Sequence, residues 1–404
     1  MILPALRGVD AFTIEMDGET FIGMRDPEGI VEDQLMLSQA AFVIAAFLDG
    51  QRDEREVQQE LAKHFKGQII AEEDILKVVG ALDEHGFLLS DKFHAIRNGV
   101  RKRFAQQKIR KAYLAGKSYP DDSSALKTFL DAQFLREGSP QKLPFSGQRS
   151  SEPLKCLIAP HIDLHRGGHS YAWAYECLAL RPKPETVLIF GTAHAAPPLP
   201  FILTRKDFET PFGTVSCDSE SVNRLAKSCS WPPFEYELLH RTEHSIEFQV
   251  LMLSYLYGTS FKIIPILCGA FCEETEKTPH PNVELFLNEA KQILIELGNS
   301  SLVICGADLA HVGKRYGDPF DVDAKVISHV DERDHQDLEP ILACDADTFF
   351  SSVMKDTNER RVCGLNNIYA ALKVLPEKSK GKLLHYGYAH DPMGGIVSFA
   401  SVAF

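Results

Sequence analysis

Four places in the sequence put histidine or carboxylate where chemistry could be done. The apolar run LIAP at 157–160 passes straight into His161 and Asp163. VLIFG at 187–191 leads to His194, and SLVICG at 301–306 leads to Asp308 and His311. The fourth is HRTEHSIEFQ at 240–249, where Glu243 and His244 open a segment of helical period. Histidine is the commonest metal ligand and the usual base near neutral pH, so a locus rich in both groups fits a metal centre with an adjacent acid or base. A single histidine after a strand is more often a hydrogen-bonded loop residue than a ligand. His165 and His169, four apart beside Arg166, read as a surface pair on that ground. For His161, His194, His244 and His311 together, coincidence at strand ends is the weaker account.

Those residues serve one site only if the elements before them converge. Short apolar runs (LIAP, VLIFG, FILT at 201–204, FKIIPIL at 261–267 and SLVICG) alternate with helical segments at 169–180, 247–257 and 284–297. This alternation predicts an α/β fold with a central mixed sheet covered by helices on both faces. In such sheets ligands bind at the carboxyl ends of the strands, which is where the histidines stand. The closing GGIVSFASVAF is apolar enough to be a final strand. Cys217, Cys268 and Cys305 lie in or beside predicted strands and read as core. No nucleophile elbow, P-loop or dinucleotide fingerprint is present, and GYAHDPMGG at 387–395 lacks the following helix a phosphate cradle needs.

Before residue 106 the text is different. Ser38 caps a predicted helix through Leu48, Asp53 with Glu56 reads as a capping box, and a third helix begins near Glu72 and gives way to FLL at 87–89. Three short helices and a β element predict a winged-helix-like α+β unit over 1–105, with the large domain over 106–404. The third helix carries Glu72, Glu73, Asp74, Asp83 and Glu84 against the single base Lys77, the wrong sign for a reader of DNA. Residues 97–111 hold seven bases and no acid; a solvated linker helix is the favoured reading over an anion-binding patch.

Composition narrows the rest. Hydrophobic residues make up 44% and charged residues 25% of the 404, which rules out disorder, a collagen repeat or a coiled coil as the main architecture. The longest apolar run, Ala40 to Leu48, is far short of the roughly 18 residues of a membrane helix, so no membrane partner is expected. A net charge of -13 disfavours nucleic acid. Nine cysteines without a CxxC, and carboxylates near the N-terminus where a signal peptide would be basic, point to the reducing cytoplasm.

Two resemblances add to this reading. The phrases FLDGQRDEREVQQEL and LDEHGFLLSD resemble PqqD-type domains, winged-helix modules similar to peptide-chaperoning partners of radical enzymes. The motifs APHID, FGTAH, TPFGTVSCD, EHSIEFQ, IIPILCG, GADLAHVG and VCGLNNI, in that order from 159 to 368, resemble the Memo family, and the likeness runs from Ala112 to Phe404. It implies the fold of class III extradiol dioxygenases, whose central sheet carries a non-haem iron site. It further implies that His161 and His194 bind metal and that Glu243 and His244 form the family's acidic-histidine pair. The third ligand of the animal proteins, a cysteine, falls on Ala310 by this comparison, so either His311 or Asp308 replaces it or the site binds metal weakly or not at all; His311 is favoured as ligand or base and Asp308 as a structural orienter. PHIDLHRGG stands where the family has PHAGY, which brings in Asp163 as a further second-shell group or ligand.

Two functions compete at this stage. One is an oxidoreductase of dioxygenase type using a divalent metal, iron by expectation with zinc or copper as alternatives, on a small planar or phenolic compound. The other is a non-catalytic peptide- or metal-binding protein acting with a radical SAM partner. Metal content after purification without chelators separates an intact site from a lost one.

Overall fold

The computed structural model describes residues 2–16, 18–273 and 277–404, which form two compact units divided between Gln106 and Gln107. The first unit opens with an antiparallel sheet of β1 (Asp10–Met16), β2 (Glu19–Arg25) and β3 (Leu35–Ser38). Four helices follow: α1 (Gln39–Ala46), α2 (Glu54–His64), α3 (Glu72–Glu84) and α4 (Asp91–Gln106). The capping signals work as expected, with Ser38 accepting from the Ala41 N–H and Asp53 and Glu56 closing a reciprocal capping box. Leu37, Ile44, Leu48, Val57, Leu61, Ile75, Leu82 and Phe87 make its core. Two expectations change. The β element at 87–89 is a single bridge from Leu88 to Leu6, and the sheet of this unit comes instead from residues 10–38.

The basic run does not stay one solvated helix either. It leaves α4 at Gln106 and enters β4 (Ile109–Arg110), where Arg110 is wholly buried and ion-paired to Glu247.

The second unit is built on an eleven-stranded mixed sheet. Along the chain come α5 (Ser123–Leu135), β5 (Cys156–Ala159), α6 (Leu164–Ala179), β6 (Thr186–Thr192), β7 (Phe201–Leu203), β8 (Asp207–Thr210), β9 (Gly213–Cys217) and α7 (Ser219–Ser228). Next are α8 (His244–Tyr257), β10 (Lys262–Cys268), α9 (Pro281–Leu297), β11 (Ser301–Gly306) and β12 (His311–Val312). The chain closes with α10 (Ala324–Ala343), α11 (Ala346–Met354), α12 (Leu365–Val374), β13 (Lys382–Asp391) and β14 (Gly395–Ala403). The order β12-β14-β5-β11-β6-β10-β9-β8-β4 has β5, β11, β6 and β10 running parallel at its centre, with β14 antiparallel to β5. The expected last strand is therefore present, and it lies inside the sheet beside β5.

The central strands read as unbroken apolar runs because both their faces are covered. Side chains alternate between the faces. Cys156, Leu188, Phe190, Ile264, Ile266, Val303 and Cys305 pack with Phe286, Phe349 and Tyr369 of α9, α11 and α12. Leu157, Val187, Ile189, Ile263, Leu302 and Ile304 pack with Tyr171, Tyr175 and Leu251 of α6 and α8. Cys217, Cys268 and Cys305 are core residues, as read from the sequence, and Cys156 joins them. Among the described residues no helix is long and apolar enough to cross a membrane.

Candidate metal centre

Because β5, β6 and β11 are adjacent and parallel, their carboxyl ends share one edge. His161 follows β5 by two residues, His194 follows β6 by two, and Asp308 follows β11 by two. Helix α8 adds His244 at its first turn, and it can do so only because it lies directly on strand backbone. A Cβ on Gly191 would come 2.6 Å from the Ser245 Oγ, and one on Gly306 would come 2.4 Å from the Ser245 carbonyl oxygen. The imidazoles of His161, His194 and His244 are mutual neighbours: ring centres are 4.9 Å apart for the first two, 5.3 Å for His161 and His244, and 4.6 Å for the stacked His194 and His244.

Among the described residues three overlapping groups hold ligand atoms within 4.8 Å of one another: His161, His194 and Cys363; His194, Glu243 and His244; and Asp308, His311 and Cys363. The shared member of the first and third is a cysteine the sequence reading did not select. Cys363 Sγ is 3.3 Å from His161 Nε2. It arrives on the loop before α12, where the Gly364 N–H bonds the Asp308 carbonyl at 3.0 Å. A Cβ at Gly364 would strike that same oxygen at 2.5 Å, so only glycine permits the approach. Ala310 is not at the pocket. It is fully buried with Val312, Val330 and Ile396, so the expectation that this chain must do without a cysteine is corrected: the thiol comes from another loop. The available signal was VCGLNNI, a Cys-Gly pair just ahead of a helix.

Each histidine has a partner behind it. His161 Nδ1 is 2.8 Å from the Gly306 carbonyl oxygen; a carbonyl only accepts, so Nδ1 donates and Nε2 faces the thiol. Asn367 Nδ2 donates to the same carbonyl at 2.7 Å. The His161 N–H bonds Asp308 Oδ1 at 3.0 Å, which makes this buried carboxylate a support for the His161 backbone, with Oδ2 3.6 Å from Nε2. His194 Nδ1 lies 3.0 and 3.1 Å from the two oxygens of Glu243. Glu243 also caps α8 through the N–H groups of His244 and Ser245 at 2.9 and 3.0 Å. Its own carbonyl is held by Arg110 Nη2 at 3.0 Å. His311 Nδ1 is 3.2 Å from the Leu309 carbonyl oxygen, leaving Nε2 for the pocket. Asp163 stands apart from these groups. It caps α6 through the N–H groups of His165 and Arg166 at 3.1 Å each and pairs with the Arg166 side chain.

The electrostatics follow from burial and these contacts. Burial disfavours charge on both His194 and Glu243, but their mutual attraction outweighs it, raising His194 well above its ordinary pKa and holding Glu243 well below its own. Burial, with the neighbouring His194 charge, pushes His244 down to about 3, so it stands neutral. Burial lowers His311 as well, and lifts Asp308 to about 6. For Cys363 burial is outweighed by the charge and hydrogen bonds of His161 and by the hydrogen bond of His194, which draw the thiol below its ordinary value. With more than a third of its side chain exposed, at 38%, His194 keeps the cluster open to solvent.

Comparison with known proteins agrees with the motifs. The Memo-like protein family matches residues 110–403. A MEMO1 family protein of Aquifex aeolicus is 27% identical over 403 residues, covering 97% of this chain and 98% of its own length. One from Thermus thermophilus is 26% identical over 336 residues, 81% of this chain and 91% of its own. One from Ignicoccus hospitalis is 27% identical over 303 residues, 73% of this chain and 98% of its own. With the family matched over most of its length and the histidine cluster at the edge of its central sheet, this chain belongs to the Memo-like protein family.

Proposed function

We infer that the pocket holds a divalent metal through His161 Nε2, His194 Nε2 and Cys363 Sγ, and that the protein acts there as a metal-dependent oxidoreductase on a small molecule. What carries the reading is the way the histidines are held. Each has Nδ1 committed to an acceptor, Gly306 O at 2.8 Å and Glu243 Oε1 at 3.0 Å, which leaves Nε2 as the ligand atom, with His194 giving up its Nε2 proton as a metal binds. An acceptor behind a ligating imidazole fixes its orientation and raises its basicity. The donor set fits a metal: two imidazoles and a thiol drawn toward its anionic form, all within 4.8 Å. A metal bound there would act as a Lewis acid with open positions for substrate. Glu243, fully engaged by His194 and the end of α8, serves as an orienter, and His244, neutral and beside both ligand histidines, is the group placed to hydrogen-bond a bound substrate. Iron suits the oxidoreductase reading; the thiolate makes copper and zinc closer rivals than a carboxylate in its place would.

A second reading is favoured by one observation: the Aquifex relative matches along nearly the whole chain, first unit included. In that reading residues 1–105 are a PqqD-like peptide-handling module, and the chain binds a peptide or metal beside a radical SAM protein without turnover.

Metal analysis of the full chain and of His161→Ala, His194→Ala and Cys363→Ser tests the first reading. Each substitution is expected to bring bound metal to background with the far-UV circular dichroism unchanged. Stoichiometric metal in both histidine variants would place the site elsewhere. Dioxygen consumption with phenolic compounds then separates the enzyme from the binding protein.

A further inference from the structure

The loop that delivers Cys363 is unusual in its backbone. Thr357, Asn358 and Arg361 have φ of 61°, 56° and 51°, left-handed values that are costly for residues with side chains. Such a loop persists only when its surroundings over-determine it, and here the determinants are identifiable. Asn358 Oδ1 accepts from the Val362 N–H at 2.7 Å, and the Arg361 N–H bonds the Asn358 carbonyl at 2.8 Å. Those contacts shape the loop within itself. What ties it to the other side of the pocket is Arg361. Its Nη2 donates to Asp318 Oδ1 at 2.7 Å, and its Nη1 donates to Asp318 Oδ2 at 3.1 Å and to the His311 carbonyl at 3.2 Å. Asp318 Oδ2 in turn accepts from the Gly313 N–H at 2.8 Å, and the His311 N–H bonds the Arg360 carbonyl at 2.7 Å. The backbone N–H and carbonyl of His311 are therefore held by consecutive residues, 360 and 361, three and two positions ahead of Cys363.

We propose that Arg361 is a positioning residue: with Asp318 it forms a fork that locks the Cys363 loop to the Asp308–His311 loop and so fixes where the thiol stands against His161 and His194. The inference rests on the metal reading of the pocket. The planar, two-toothed geometry is what matters, since a guanidinium can grip a carboxylate and a carbonyl at once, whereas a lysine ammonium cannot reproduce the parallel pair. The Arg361 side chain is 41% exposed and that of Asp318 11%. With its guanidinium facing solvent the pair is screened and contributes modestly to global stability, so the fold survives its loss while the placement of the thiol does not.

Cobalt(II) titration of the full-length protein provides the test, because a thiolate on cobalt gives a ligand-to-metal charge-transfer band that reports sulfur directly. The parent protein should show the band and Cys363→Ser should lack it. Arg361→Ala, Arg361→Lys and Asp318→Asn should bind cobalt roughly ten- to a hundredfold more weakly, the range for groups that orient ligands. They should also show a weakened or displaced band, with thermal midpoints of the metal-free proteins close to the parent's. A parent protein without a charge-transfer band sinks the metal reading itself. A parent with the band, and three variants matching it in affinity and spectrum, overturns the role of Arg361 alone. Variants that weaken binding only in proportion to a fall in thermal midpoint would also overturn it, by reducing the pair to a structural contact.

Discussion

Positions 310 and 363 show how finely the pocket discriminates between residues that lie near each other. Ala310 gives its N–H to Ser398 Oγ at 2.9 Å and its methyl to a closed apolar cluster, whereas the Cys363 sulfur looks onto two imidazoles. Restoring a cysteine at 310 should therefore do nothing for metal. Ala310→Cys is expected to keep the parent's metal content and to lose about 1–3 kcal/mol of stability through overpacking. The double variant Ala310→Cys, Cys363→Ser should stay metal-poor; recovery of bound metal in it would show that position 310 can supply a ligand. His161, His194 and Asp308 were legible in the sequence because each comes two residues after an apolar strand, and strand ends are where α/β sheets do their chemistry; His244 was marked instead by opening a helical segment. Cys363 follows a loop rather than a strand, so its one local signal was the Cys-Gly pair ahead of α12, which is weaker than a strand end. Asp163 could have been read correctly: an aspartate ahead of a helical run is a cap before it is a ligand.

At the scale of elements, the parallel strands were easy to read and the first sheet was not. The central strands announce themselves as apolar runs, while β1 and β2 are short and partly exposed and carry no such run. Packing between elements adds a property no local pattern reveals. Where α6 meets β13, the rings of His169 and His385 approach to 4.9 Å beside Phe399, and His385 Nδ1 is buried without a partner. Burial, followed by the charges of His385 and Arg136, presses His169 down to about 4; burial lowers His385 too. A base whose folded pKa lies below its unfolded value takes up protons more readily when unfolded. Its contribution is thus complete above pH 6.5, falls as pH drops from 6.5 toward 4, and is flat below that. His169 is only half-buried, so after allowing for solvent screening the loss is roughly 1 kcal/mol. Thermal melts at pH 7 and pH 5 should show a smaller acid-induced drop for His169→Gln than for the parent, and equal drops would rule out this seam as a source of acid sensitivity.

At the scale of the whole chain, the change of texture near residue 106 marked a boundary, and the contact pattern divides at Gln106. The acidic α3, with Glu72, Glu73 and Asp74 in its first turn, leads us to expect no saturable binding when duplex DNA is titrated into the full chain at moderate salt; a salt-resistant complex would contradict that. The larger question is how much of the chain the pocket needs. Every candidate ligand lies beyond residue 160, and the cores on both faces of the large sheet draw on residues from Tyr119 onward. Yet the pocket reaches back to Arg110, whose guanidinium holds the carbonyls of His240 and Glu243 at 2.9 and 3.0 Å and neutralises buried Glu247. Glu247 also receives the Tyr113 and Leu114 N–H groups at 3.2 and 2.9 Å, but these cannot balance a full charge that is 1% exposed. Breaking a buried pair by removing one partner costs about 3–5 kcal/mol. A chain of residues 107–404 should accordingly fold and bind cobalt with the affinity of the full chain. The same chain carrying Arg110→Met should melt well below it and bind cobalt weakly, because Glu243 loses its anchor and His194 its orienter. If residues 107–404 fold but bind no metal, the first unit contributes to the pocket. If Arg110→Met is silent in both melting and titration, the route from Arg110 through Glu243 to His194 carries nothing.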